Sequence, residues 1–309
     1  MILTLTANPA IDLNFSADRL AFDDRAYVLA RTESAGGRGV QASSVLHSFG
    51  TPTLAIATCG GRTGERLEEF VRAGGFPVEL VRIKNEIRTN YAITDRQGLT
   101  VKLDEQGPQL EPDEVERLRE AVIRHLPEAD WLMLCGSLPP GVPRDFYRGL
   151  IEEALRQGVK TLLDTGGGPF HEGLEARPTV VAPNQIEAEH LLNRALVMRS
   201  HFHEAARQIQ AMGADSVILS VGSRGAVVSH GGSITEIIPP RIDAVCPIGS
   251  GDALNAAFVR AMSQGADFED AVRWGVAAGT ASARLPGLSY ASLEETTEVY
   301  AGVEVRPAE

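Results

Sequence analysis

Short apolar runs alternate with stretches of helical periodicity along most of this chain. Strand-type runs are predicted over residues 2–6, 54–59, 131–135, 160–164, 179–182 and 216–221. Between them, apolar residues recur at helical spacing over 40–49, 64–73, 113–125, 143–157, 186–196 and 200–212. The same spacing returns over 268–285 and 292–300 near the end of the chain. Gly50 stops the first helix and Gly74-Gly75 the second. Strands and helices in this order predict an α/β fold, with a mostly parallel sheet covered on both faces.

Two places break the alternation. Residues 91–94 and 99–103 read as an antiparallel hairpin around the turn Asp95-Arg96-Gln97-Gly98, and 27–32 read as an exposed strand. Segments of about 12–33 and 88–104 are therefore expected to form a small separate sheet, a lid. Residues 226–229 and 233–238 read as a second hairpin. With no internal repeat, low-complexity tract or linker, residues 1–309 are expected to be a single domain.

Ligands gather at the carboxyl ends of strands in such sheets. Asp12, the glycine-rich turn 34–39, Ser137, Asn184, the segment 220–225 and the turn 249–252 all fall at or just after expected strand ends. That coincidence points to one shared cleft. The stretch 245–258, VCPIGSGDALNAAF, is the most informative. Gly249-Ser250-Gly251 runs straight into a helix with Asp252 in its first turn. Glycines let backbone N–H groups converge on an anion, and a helix N-terminus adds free donors and a positive dipole end. A carboxylate beside such a hole opposes plain phosphate binding. It makes sense if Asp252 takes a proton from a hydroxyl while the N–H groups stabilise a phosphoryl group in transfer. The same residues also fit an ordinary helix start.

Composition narrows the partners. The net charge of −12 and the absence of a long basic run argue against nucleic acid or a membrane surface, but not against a small anion met by a local arginine cluster. Cys59, Cys135 and Cys246 are far apart and odd in number, so neither a disulfide framework nor a zinc site is indicated, and a cytoplasmic setting is expected. The N-terminus reads as a strand rather than a signal peptide. No apolar run approaches the ~18 residues of a membrane span. His201 and His203 read as solvated surface histidines.

The order of Asn8-Pro9-Ala10-x-Asp12, Gly36-Gly37-x-Gly39, Gly136-Ser137-Leu138-Pro139-Pro140-Gly141, Pro183-Asn184-x-x-Glu187 and Gly249-Ser250-Gly251-Asp252 resembles the ribokinase-like PfkB carbohydrate kinases. GSLPPGV and Arg88-Thr89-Asn90 are most like the branch of 1-phosphofructokinases, tagatose-6-phosphate kinases and minor 6-phosphofructokinases. The resemblance covers essentially the whole chain. It implies a three-layer α/β/α sandwich with a β-sheet lid, and a kinase using ATP and Mg²⁺. Asp252 would be the base, with Gly249, Ser250 and Gly251 as the anion hole. Asp12, Gly36, Gly37 and Gln41 would hold the sugar, Arg38 would add positive charge on that side, and Arg88, Asn90 and Ser137 would complete the substrate contacts. Asn184 and Glu187 would organise Mg²⁺, chiefly through water. Ser220, Gly222 and Gly225 would meet the nucleotide phosphates and ribose, and Val276 and Thr280 the adenine. Ser282, Gly287 and Ser289 fall where some members bind a monovalent cation such as K⁺. The lid also implies a homodimer.

Plain readings stand beside these roles. Asp12 also fits an Asx turn, Arg88 an exposed hairpin charge, Glu187 a first-turn acid, Ser137 a turn hydroxyl and Asn184 an N-cap. The chain departs from the family pattern at three positions. Gln41 replaces an Asn, Tyr27 stands where phosphosugar kinases often carry Arg, with Arg25 nearby, and Ala182 replaces a Lys before Pro-Asn. A kinase of an unphosphorylated sugar or nucleoside, and a non-catalytic sensor of nucleotide or sugar phosphate, therefore remain as alternatives.

Overall fold

A computed structural model of the chain describes residues 1–21 and 24–308. Phe22 and Asp23, inside the expected lid segment, lie outside the described residues.

Two sheets form. Strands β1 (Ile2–Thr6), β2 (Ala10–Ala17) and β3 (Val28–Gly36) lead to helix α1 (Arg38–Ser48), β4 (Thr53–Cys59), α2 (Gly61–Gly74) and β5 (Val78–Arg82). The hairpin β6 (Arg88–Asp95) and β7 (Thr100–Asp104) follows. Then come α3 (Pro112–His125), β8 (Trp131–Cys135), α4 (Phe146–Arg156), β9 (Lys160–Asp164), α5 (Gly167–Glu175) and β10 (Val180–Val181). The last part holds α6 (Gln185–Leu192), α7 (Arg199–Ala211), β11 (Ser216–Ser220), β12 (Ala226–His230) and β13 (Ser233–Ile238). It closes with α8 (Ser250–Ser263), α9 (Phe268–Ala283), α10 (Leu293–Tyr300) and β14 (Glu304–Pro307).

The large sheet has the order β14-β13-β12-β11-β10-β9-β8-β1-β4-β5. From β11 to β5 every pairing is parallel; β12, β13 and β14 add an antiparallel edge. Period-two alternation sorts its side chains between two cores. Leu3, Leu132, Leu134, Leu163, Val217 and Leu219 pack under α3, α4, α5 and α7, through residues such as Leu118, Tyr147, Phe170 and Phe202. Ile2, Trp131, Met133, Leu162 and Ile218 pack on the other face under α1, α8 and α9, through Leu46, Phe258 and Val272. This is the three-layer sandwich expected from the alternation.

The lid is a four-stranded sheet of order β3-β2-β6-β7. It differs from the expectation in two ways. Residues 10–17, expected as turn and mixed segment, form the central strand β2, which pairs parallel with β6 and antiparallel with β3. Residues 34–36, expected as a turn, complete β3, because Ala10 pairs with Gly36 and Asp12 with Ser34. Three short elements, β5, α5 and β14, were not anticipated. Each is short, with apolar content too sparse to show a period. His203 is also not solvated. It is half-buried, with Nε2 2.6 Å from Glu236.

Candidate active site

Pairing register builds one wall of the cleft. Asp12 lies opposite Ser34 on one side and Asn90 on the other, while Ala10 lies opposite Gly36 and Arg88. Directly paired residues, and residues two apart, project to the same face of a sheet. Asp12, Ser34, Arg88 and Asn90 therefore share one face of the lid, with Gly36 among them. Asn90 Nδ2 donates to Asp12 Oδ1 at 2.9 Å. Gln41 Nε2 reaches Asp12 Oδ2 only at 3.4 Å, so the longer Gln still touches this carboxylate, weakly. A Cβ on Gly36 would lie 2.4 Å from Asp12 Oδ1, so glycine is required where β3 passes that side chain. Burial raises the Asp12 pKa above 3.8, partly offset by the Asn90 hydrogen bond and the charge of Arg88. Burial lowers the Arg88 pKa; its Nη1 donates to Glu105 C=O at 3.0 Å, and its buried Nε has no partner.

The opposite wall is the start of α8. Gly249 is left-handed, with φ of 82°, and turns the chain into the helix. The first intrahelical bond runs from Ala253 N–H to Gly249 C=O, so the N–H groups of Gly251 and Asp252 lie ahead of it. Nothing lies within 4 Å of a Cβ built on Gly251, which leaves this turn open to the cleft. Asp252 is 9% exposed. Its pKa is pushed well above the ordinary value, first by burial and then by the charge of Asp164, with Asp12 and Glu187 adding and Arg38 opposing.

Between the walls stands Arg38, the first residue of α1. Its Nη1 is 2.6 Å from Asp164 Oδ1 and its Nη2 is 2.8 Å from Glu187 Oε1. These carboxylates, Asp164 foremost, raise the Arg38 pKa further above its already high value. Asn184 caps α6, accepting from Glu187 N–H at 3.0 Å, and Glu187 Oε2 accepts from Asn184 N–H at 2.9 Å. The plain readings of this pair hold: Asn184 is an N-cap and Glu187 a first-turn acid, which also meets Arg38. Burial raises the Glu187 pKa, and Arg38 opposes the rise.

Several of the expected residues meet directly: Asp12 with Gln41 and Asn90, Arg38 with Glu187, and Asn184 with Ser220. Ser137 Oγ accepts from Asn8 Nδ2 at 3.0 Å, behind the lid face. Ser220 N–H donates to Pro183 C=O at 3.0 Å, which ties the end of β11 to Asn184. Gly222 and Gly225 both have positive φ, and a Cβ on Gly225 would meet Ile237 C=O at 2.0 Å. Val276 is buried within the core under α8, and Thr280, one turn on, keeps a half-buried side chain. Ser282 Oγ accepts from Ala291 N–H at 3.1 Å and Ser289 Oγ donates to Pro286 C=O at 2.9 Å, on either side of Gly287. Tyr27 is 66% exposed.

Sequence reasoning missed Asp164 and Tyr290. Asp164 ends a buried strand just before Thr165-Gly166-Gly167-Gly168, a signal that was available. Tyr290 had no signal. Packing alone brings it to the Gly249 turn, where a Cβ on Gly249 would lie 2.9 Å from its hydroxyl.

Among the described residues, buried polar atoms without a partner concentrate here: Asn8 Oδ1, Ser34 Oγ, Arg88 Nε, Asn90 Oδ1, Thr165 Oγ1, Ser250 Oγ and the Tyr290 hydroxyl. Folding leaves such groups unpaired at a cost of about 1–3 kcal/mol each, so their clustering marks a surface shaped for a polar ligand. Carboxylates outnumber guanidiniums here: Asp12, Asp104, Asp164, Glu187 and Asp252, with Glu105 beside Arg88, face Arg38 and Arg88. A cation fits this imbalance. No group of three or more His, Cys, Asp or Glu suited to a metal exists among the described residues. Mg²⁺ needs fewer, because it takes one or two carboxylates and completes its shell with waters and substrate phosphates. Asp164 and Glu187, drawn to one guanidinium, are a carboxylate pair of that size.

Comparison with known proteins gives the same picture. The chain is 30% identical to the 1-phosphofructokinase of Borreliella burgdorferi over 92% of both chains. It is 30% identical to the tagatose-6-phosphate kinase of Staphylococcus epidermidis over 99% of both. Its fold superposes on Escherichia coli phosphofructokinase-2 in complex with fructose-6-phosphate, with a TM-score of 0.87 and 29% identity over 97% of this chain and 98% of that one. The sequence pattern of the pfkB family carbohydrate kinases spans residues 5–296, and with a lid, a glycine turn and a buried aspartate all at the sheet's carboxyl edge, this chain belongs to that family.

Proposed function

We propose that the protein transfers the γ-phosphoryl group of ATP to a primary hydroxyl of a ketohexose phosphate, giving a bisphosphate. Fructose 1-phosphate, fructose 6-phosphate and tagatose 6-phosphate are the candidate acceptors. The observation that carries this is the position of Asp252. It is a buried carboxylate of raised basicity, one residue past an open helix turn and in the same cleft as Asp12 and Arg88.

The chemistry follows from the charges. Asp252 accepts the proton of the acceptor hydroxyl as its oxygen attacks the γ-phosphorus, and ADP leaves. A basicity raised above the ordinary carboxylate range by burial suits a base that works on an alcohol. The N–H groups of Gly251 and Asp252 take up charge on the transferring group. Asp12, braced by Asn90 and Gln41, holds sugar hydroxyls. Arg88, with its unpartnered Nε, meets the phosphate already on the sugar. Asp164 and Glu187 would hold Mg²⁺, which would supply charge that neutralises the nucleotide phosphates. Gly222 and Gly225 shape the nucleotide loop, with Thr280 toward the adenine. Ser282, Gly287 and Ser289 are assigned to a potassium ion, an assignment supported by the potassium complex of the E. coli relative. Three free cysteines suit a reduced, cytoplasmic setting. Among the described residues no helix is long and apolar enough to cross a membrane.

A coupled ADP-release assay across the three ketohexose phosphates, fructose, ribose and a nucleoside tests the reading. The expected result is that at least one phosphorylated ketohexose gives a kcat/KM well above every unphosphorylated acceptor. Activity on fructose or ribose alone would transfer the assignment to another acceptor class.

The lid's second face argues for a homodimer. Leu13, Phe15, Tyr91, Ile93, Val101 and Leu103 project to the side away from Asp12, and Leu103 is 56% exposed. Two lids packed through this face would cover it. Sedimentation should give about twice 33.1 kDa for the wild type, and Leu103→Asp should shift it toward the single chain. A wild type that sediments as one chain at micromolar concentration would contradict the arrangement.

A further inference from the structure

We propose that in the ligand-free protein the Arg38 guanidinium stands in for the divalent cation on Asp164 and Glu187, and that arrival of the metal hands it over to the phosphoryl group being transferred. The inference rests on the kinase reading above and adds a residue exchange to it.

The geometry is specific. Arg38 bridges the two carboxylates, at 2.6 and 2.8 Å, and both are nearly buried, with 7% and 12% of their side-chain surface exposed. Glu187 has no idle oxygen. Oε1 accepts from Arg38 and Oε2 accepts from the Asn184 backbone N–H. A divalent ion on Glu187, held directly or through water, would share a carboxylate oxygen that already accepts a hydrogen bond, and a guanidinium beside a doubly charged ion is repelled by it. Two cations cannot keep the same pair of carboxylates at full strength.

Arg38 can leave because only its side chain must move. Its backbone is pinned by its neighbours. A Cβ on Gly39 would lie 2.6 Å from Thr6 Oγ1 and 2.8 Å from Leu5 C=O, so the start of α1 is pressed against β1. The side chain itself is 37% exposed, more than either acid it bridges. A released guanidinium stays beside Asp252, whose charge already acts on it. It has work there. The position before Pro183, where a nucleotide-side cation would otherwise stand, is Ala182, 7% exposed. A planar, permanently charged fork suits three equatorial phosphoryl oxygens.

The exchange predicts opposite effects of one substitution on metal affinity and turnover. A state in which Arg38 blocks the acids lowers apparent metal affinity by the fraction of molecules free to bind. The test is Mn²⁺ binding to the nucleotide-free protein, read by electron paramagnetic resonance of the free ion, beside ADP release by the same samples. Arg38→Ala should bind Mn²⁺ roughly 10-fold more tightly or better, and should lose kcat. Arg38→Lys, whose single ammonium reaches only one carboxylate well, should fall between. Unchanged or weaker Mn²⁺ binding by Arg38→Ala would overturn the proposal. Tighter binding with undiminished kcat would overturn the hand-over. Should the alanine variant fail to fold by circular dichroism, Arg38→Lys decides alone, with roughly 3-fold tighter binding expected and no change overturning it. Failure of the kinase reading shows separately, as absence of ADP release from the wild type with every ketohexose phosphate, whatever Mn²⁺ does.

Discussion

Asp252→Asn should keep sugar-phosphate and nucleotide binding close to wild type while turnover falls by at least ~10²-fold, the lower end of what a positioned general base supplies. Asparagine matches the shape and cannot take the proton. Calorimetric binding beside steady-state kcat separates the two effects. A variant of full activity would remove Asp252 from the mechanism. The same substitution should also stabilise the ligand-free fold in a pH-dependent way. The Asp252 pKa is raised well above 3.8 by burial and by Asp164, so ionisation opposes folding. The stability of the protonated form is fully present below the unfolded value and is lost as pH rises through the folded one. Asparagine does not ionise. The melting temperature of the variant should therefore exceed that of the wild type by a margin that widens with rising pH and then levels off. A margin that shrinks with pH would mean the carboxylate is stabilised by the fold rather than strained by it. For catalysis, the rising limb of kcat/KM should lie above the ordinary carboxylate range.

Gly249→Ala carries the second large effect. Gly249 sits at φ of 82°, where a side chain costs about 1–2 kcal/mol. Its Cβ would lie 2.8 Å from Leu288 Cδ1 and 2.9 Å from the Tyr290 hydroxyl, so the loop carrying Tyr290 and the start of α8 must separate. Their separation displaces the N–H groups that meet the transferring phosphoryl. Losing one such donor typically costs ~10²–10³-fold in turnover. The expected variant is both less stable and at least ~10²-fold slower. Gly251→Ala provides the stability control, since its Cβ would meet nothing within 4 Å. Its denaturation midpoint should stay at the wild-type value. Equal destabilisation by both would show that the Tyr290 contact and the left-handed φ of Gly249 are not the cause.

The contrast between these two glycines shows how much the sequence could say. Glycine-rich turns at strand ends were legible because the physics is local: a turn, a helix start, an acid one residue on. Strands such as 131–135, buried on both faces, were legible as continuous apolar runs. Partnership across the chain was not legible. Nothing local told that Tyr290 would lie over Gly249, or that Arg38 would cross the cleft to Asp164. Strand β2 was legible, since Ile11, Leu13 and Phe15 alternate with Asp12, Asn14 and Ser16, but the turn signal of Asn8-Pro9 just before it drew the reading toward a loop. The lid gives Asp12 its neighbours. Asn90 lies 78 positions along the chain and becomes adjacent only through the parallel register of β2 with β6.

The residues that depart from the family pattern now have physical settings. Gln41 still reaches Asp12, at a length that leaves the carboxylate less firmly held than a short hydrogen bond would. Tyr27 lies exposed beside β3, with Arg25 also exposed. Ala182 carries no charge, so the positive charge of the cleft comes from Arg38 and Arg88.

The account stands most directly on a ternary complex of the wild type with a non-hydrolysable ATP analogue and the sugar phosphate it prefers. The acceptor hydroxyl should lie within about 2.6–3.2 Å of an Asp252 carboxylate oxygen, with the γ-phosphate capped by the Gly251 and Asp252 N–H groups. A hydroxyl out of reach of Asp252, with another base beside it, would contradict the account.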